Sequence, residues 1–169
     1  MANAFLALGS NLDRPLLQMQ TAIAALTQDP NINISAVSSL YQTPAMGPPQ
    51  DDYLNAVVQI ETSYSPQELL CACLAIEKQQ GRVRRECWGP RLIDIDVLLY
   101  DNLIYQDKTY QVPHPGLKER LFVLIPLYEI APKLTLPDGE TIAALLQQFN
   151  QAEKELILKI NDSILIPGR

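Results

Sequence analysis

Residues 53–62, YLNAVVQIET, alternate without a break. Leu54, Ala56, Val58 and Ile60 share one face of the predicted strand, and Tyr53, Asn55, Val57 and Gln59 share the other. The segments around it set the order of elements. AFLAL, residues 4–8, is a short apolar run that reads as a central strand, stopped by Gly9-Ser10-Asn11. Asp13 and then Arg14-Pro15 mark a helix start, and Leu16, Met19, Ile23 and Leu26 follow at helical spacing, which predicts an amphipathic helix over 14–27. Residues 33–42 carry β-formers and end in Tyr41, and Pro66 opens a second helix over 66–80. A basic loop leads to GPRLIDIDVLLY, residues 89–100, a strand that starts from a turn. The order β-α-β-β-α-β predicts an α+β fold with a ferredoxin-like core: an antiparallel sheet with both helices on one face. C-terminal additions follow: a helix near 119–130, a turn at Pro137-Asp138-Gly139 and a helix over 141–149. Residues 1–150 are expected to form a single domain. The tail 151–169 is an extension of unknown role, alternating weakly around Leu156, Leu158 and Ile160, read either as an added strand or as a loose segment.

The chain has 169 residues, room for one domain with a proper core. No apolar stretch approaches the roughly 20 residues that span a bilayer, and the N-terminus lacks the basic region and cleavage site of a signal peptide. A soluble, cytoplasmic protein that does not engage membranes is expected. Cys71 and Cys73 point in different directions on the second helix and Cys87 stands alone, a pattern that fits reduced thiols rather than a disulfide frame or structural zinc. The net charge of −6 disfavours nucleic acid as a partner. One stretch inverts that balance: Arg82, Arg84, Arg85 and Arg91 against Glu86 alone. Such a loop suits a small anionic ligand or is a solvated surface.

The chemistry gathers around the last strand of the core. Asp94 and Asp96 point the same way, with α-carbons about 6.5–7 Å apart, while Ile93, Ile95, Val97 and Leu99 are expected to face the core. Two carboxylates at that spacing repel unless a cation lies between them, and hard oxygen ligands favour Mg²⁺. Two acids on a wet sheet face are the plain alternative. With Arg91 and the basic loop beside them, the acids are what Mg²⁺-triphosphate needs: metal on the carboxylates, guanidinium groups on the phosphates. Neither GxxxxGK[ST] nor GxGxxG is present, which argues against a P-loop or dinucleotide site. On the second helix the apolar stripe Leu69, Leu70, Cys73 and Leu74 continues to Glu77, a carboxylate that needs a partner such as an arginine or a ribose hydroxyl unless the helix frays there. His114, the only histidine, sits between Pro113 and Pro115, placed for a phosphate or simply structural. Trp88, in a polar loop, covers a flat ligand or caps the core. Tyr53 and Asn55, facing together, suit a planar heterocycle or a protein layer.

Taken in order, LALGSNL, YQTPAMGPPQDDYLNAV, EKQQGRVRRECWGPRLIDIDVLLY and VPHPGLKERLFVLIPLYEIAP resemble the signature of the 6-hydroxymethyl-7,8-dihydropterin pyrophosphokinase (HPPK) family of folate biosynthesis, over nearly the whole chain to about residue 149. The resemblance implies a catalytic domain with small-molecule substrates, ATP as co-substrate and two Mg²⁺ ions on Asp94 and Asp96; the chain is expected to be a monomer. It implies that Arg82 and Arg91 serve the transferred group, that Arg84 and Arg85 help bind the phosphates, and that Glu77, His114 and Arg120 contact ATP. Thr43, Pro44, Met46, Tyr53, Asn55 and Phe122 would form the pterin pocket, and Trp88 would close over the site with its loop. Two rival readings of the same elements are a palm-like nucleotidyl transferase, which predicts nucleic-acid binding, and a non-catalytic ligand-sensing domain, which has no use for paired acids beside an arginine loop.

Overall fold

A computed structural model of the chain describes residues 1–12, 14–44, 51–81 and 93–160. The core strands are β1 (Ala2–Ser10), β2 (Ile32–Val37), β3 (Tyr41–Thr43), β4 (Tyr53–Thr62) and β5 (Asp94–Tyr100), with α1 (Pro15–Gln28) and α2 (Pro66–Gln79) between them. The predicted strand over 33–42 is thus two pieces, and both pair antiparallel with β4. At the break, Ser38 donates its N–H to the Val57 carbonyl, and its Oγ accepts from the Val57 N–H, so a side chain completes the ladder where the backbone leaves it. The sheet runs β5-β1-β4 with β2 and β3 along the far side of β4, all antiparallel. This is the ferredoxin-like order that β-α-β-β-α-β connectivity produces.

Pro15 and Pro66 each occupy the first turn of a helix, where the missing N–H costs nothing. Ser65 and Glu68 close a capping box on α2, each side chain accepting from the other's backbone N–H. Asp13, read as the start of α1, lies outside the described residues; the residue before the helix is Arg14, in the left-handed region at φ 60°. Both helices pack on one face of the sheet, where Leu6, Leu8, Ile60, Met19, Ile23 and Leu69 are among the buried side chains. On α2 the buried stripe is Leu69, Cys73, Ile76 and Glu77; Leu74, expected on it, is exposed.

The C-terminal additions cover part of the opposite face. A short hairpin, β6 (Tyr105–Gln106) and β7 (Gln111–Val112), and a 3-10 turn at Leu117–Glu119 lead into α3 (Leu121–Ile130) and α4 (Ile142–Leu146). Leu117, Val123, Leu124, Leu127 and Ile142 bury Phe5, Val57, Leu98 and Leu99 there. Leu99 was expected on the other face. A β-bulge explains the difference: Leu6 pairs with Val97 but Phe5 with Leu99, so Leu98 is an extra residue and the strand changes phase. The chain then forms α5 (Gln151–Glu155) and β8 (Leu158–Lys159), and β8 pairs with β3. The extension therefore adds a strand to the sheet, as one of its two readings held.

Candidate active site

Three strands carry one row of residues across the sheet. Gly9 of β1 pairs with Asp94 of β5 on one side and with Asn55 of β4 on the other. Directly opposed residues share a face, so Asp94, Gly9 and Asn55 look the same way, as do Asp96 and Ala7 in the next row on that face. Strand β1 had been expected to stop at Gly9-Ser10-Asn11; instead it continues through Ser10, and Ser10 and Asn11 are buried. The glycine is what makes the row a gap. A Cβ built there would lie 3.1 Å from Asn55 Oδ1 and 3.9 Å from the Tyr53 ring. Asp94 on one side and Asn55 and Tyr53 on the other thus flank a strand position with no side chain.

On the β4 side, Asn55 is 6% exposed and donates from Nδ2 to Thr43 Oγ1 at 2.7 Å. That bond turns Oδ1 toward Gly9 and leaves an acceptor over the gap. Tyr53 pairs with Thr43, and Pro44 follows at the surface. Met46 lies outside the described residues.

The outer edge of β5 is pinned at two points. Glu77, 2% exposed, accepts the Ile95 N–H on Oε2 at 2.7 Å, between the two aspartates. An arginine or a ribose hydroxyl is the partner expected from the sequence; the strand's own amide is an additional one that α-helical spacing could not reveal. His114 donates its backbone N–H to the Leu98 carbonyl. Its Nε2 lies 3.8 Å from Asp96 Oδ2, and the Asp96 side chain is 44% exposed. Burial is the largest cause holding the imidazole below its ordinary pKa; the Asp96 carboxylate opposes that shift and the Arg120 cation adds to it. Because Nδ1 accepts from the Gly116 N–H at 3.0 Å, the neutral ring carries its proton on Nε2, the atom facing Asp96. Arg120 lies against Gly116, where a Cβ would meet its Nε at 2.5 Å, and its guanidinium sits 5.9 Å from the Phe122 ring centre. Asp96, His114 and Arg120 are therefore one group, with Phe122 beside it.

Arg82, Arg84, Arg85, Trp88 and Arg91 lie outside the described residues. Buried Cys73 is inert, its thiol pushed up to about 12 by burial first and then by Glu77. Gly9 and Gly116 are the site residues that sequence reasoning missed. For Gly9 the available signal was a glycine inside an otherwise continuous apolar strand, which marks a close approach as readily as an end.

The model of the 7,8-dihydro-6-hydroxymethylpterin-pyrophosphokinase (HPPK) family matches residues 5–132. The chain belongs to the HPPK family. Among the relatives of this HPPK-family chain, the 2-amino-4-hydroxy-6-hydroxymethyldihydropteridine pyrophosphokinase of Haemophilus influenzae is 45% identical over 150 residues, 88% of this chain and 94% of that protein. The protein of the same name from Methylorubrum extorquens is 42% identical over 158 residues, 93% of this chain and 99% of that one. A solved structure of Plasmodium falciparum HPPK-DHPS superposes with a TM-score of 0.67 at 16% identity, covering 92% of this chain and 45% of that one, a likeness of fold alone. This chain spans under half of that longer protein.

The gap is open to test. Gly9→Ala places a methyl group at 3.1 Å from Asn55 Oδ1, tighter than ordinary contact. The strand keeps its pairing, so the melting temperature is expected to stay within a few degrees while affinity for a pterin falls about tenfold by calorimetry. Unchanged affinity would show that no ligand approaches β1 at this point.

Proposed function

We propose that this HPPK-family chain transfers a diphosphate from ATP to 6-hydroxymethyl-7,8-dihydropterin, releasing AMP and the pterin diphosphate, as a cytoplasmic monomer whose catalytic unit is residues 1–150. The observation that supports it best is the shared row: a carboxylate pair suited to metal-triphosphate on one side of Gly9 and an amide-lined heterocycle site on the other. A phosphorylated nucleotide and a planar acceptor placed on those two sides meet across the glycine.

Asp94 and Asp96 are the residues that would hold Mg²⁺. They fit it: both are oxygen donors on one strand face, and Asp96 is open to solvent. Mg²⁺ takes one or two carboxylates and completes its shell with water and phosphate, which suits a pair of acids on one strand. When bound, two such ions would neutralise triphosphate charge and lower the pKa of the attacking hydroxyl.

The remaining work falls to the chain's own groups. Tyr53 and Phe122 would take the two faces of the pterin, Asn55 Oδ1 would accept one of its N–H groups, and Thr43, Pro44 and Met46 would close its edge. His114 would donate from Nε2 to a phosphate oxygen and Arg120 would neutralise another. Arg84, Arg85 and Trp88 would help to hold the nucleotide. Glu77 would hold the strand under the triphosphate and contact ATP. Arg82 and Arg91 would approach the transferred group as charge develops on it. The pterin hydroxymethyl oxygen attacks the β-phosphorus in line and the α–β bridging oxygen leaves with AMP.

Incubation of the chain with ATP, Mg²⁺ and 6-hydroxymethyl-7,8-dihydropterin is expected to produce AMP and pterin diphosphate in equal amounts. AMP formed without pterin diphosphate, or no AMP, would refute the reading.

A further inference from the structure

Strand β3 is three residues long, yet Thr43 at its end fixes the Asn55 amide. The break at Ser38 cuts it off from β2, and its ladder to β4 is only three residues long. The end of α3 adds a further hold. Glu129 accepts three hydrogen bonds from this one segment: Ser39 N–H at 2.9 Å, Ser39 Oγ–H at 2.6 Å and Tyr41 O–H at 2.9 Å. Tyr41 is 5% exposed and lies directly opposite Asn55 on the same sheet face. On its other side Tyr41 pairs with Lys159 of β8, whose Nζ lies 3.8 Å from the same Glu129 carboxylate.

We infer that Glu129 is a positioning residue for the acceptor substrate, acting through Tyr41 and β3 on the Thr43–Asn55 pair. The inference rests on the reading above that Thr43 and Asn55 bind the heterocycle. Its physical content is that α3, which leads from the Arg120–Phe122 group, ends in a carboxylate that locks the strand on the far side of the gap. The two walls of the site thereby belong to one rigid unit. β8 seals the outer edge of that strand, which gives the C-terminal extension a part in shaping the site.

Two variants separate positioning from mere stability. Tyr41→Phe keeps the ring and removes only the hydroxyl, so the fold survives. Glu129→Ala removes the whole clamp. Both are expected to raise KM for the pterin, by about three- to tenfold for Tyr41→Phe, the net scale of one hydrogen bond, and by more for Glu129→Ala. KM for ATP and kcat should stay within about twofold of the parent, and Glu129→Gln, which keeps an acceptor, should recover part of the loss. The double variant is expected to be no worse than Glu129→Ala alone, because both act through one contact. Pterin KM unchanged in both single variants, whatever their melting temperatures, overturns the inference and leaves the activity standing. A parent chain that makes no AMP overturns the enzymatic reading and this inference with it.

Discussion

Asp96→Ala is expected to lower turnover by roughly 10²- to 10³-fold, the effect of removing one charge-stabilising group from a reacting centre. The fold should not suffer. The Asp96 side chain is 44% exposed, so its removal leaves no cavity. Its acidic neighbour on the same strand face and its favourable neighbours His114 and Arg120 act against each other, so the melting temperature should stay within a few degrees. The two measurements together are diagnostic: carboxylates kept for catalysis are poor for stability, whereas carboxylates kept for structure are not. A rate within about threefold of the parent at saturating Mg²⁺ would remove the metal role from this residue.

Glu77→Ala should show the opposite balance. It strips the Ile95 N–H of its acceptor at a buried position, which costs about 1–3 kcal/mol. For a domain of this size that is a fall of roughly 2–4 °C in melting temperature per kcal/mol. Activity should fall as well, because the freed amide lies between Asp94 and Asp96 and the strand edge there loses its anchor. Glu77→Gln retains an acceptor for the same N–H and should recover much of the stability. Urea unfolding of the three proteins checks this. If Glu77→Ala is as stable as the parent, the carboxylate is held for a ligand and its bond to Ile95 is incidental.

The two variants differ because the two acids, 19 residues apart in sequence, sit on opposite sides of one strand. Sequence spacing exposes that relation only in part. Period two put Asp94 and Asp96 on one face because nothing between them disturbs the alternation. The same rule failed at Leu99, three residues on, because the bulge at Leu98 inserts a residue that periodicity cannot count. Helical period placed Glu77 on the buried stripe correctly and Leu74 wrongly; the stripe takes Ile76 instead. The glycines were the hardest to read. Gly9 ends a run of apolar residues, and a residue without a side chain looks alike in sequence whether it ends a strand or clears space for a ligand.

Local chemistry along the chain was enough for the order of elements, the face shared by the paired acids, and the family. Each depends on neighbours a few residues apart, and the family on short motifs in a fixed order along the chain. Only the tertiary structure brought Asn55 and Asp94 to either side of Gly9, put His114 and Arg120 beside Asp96, and carried Glu129 from the end of α3 to β3. Those meetings join residues 18 to 90 positions apart, and strand pairing and helix docking, not sequence spacing, determine which of them come together.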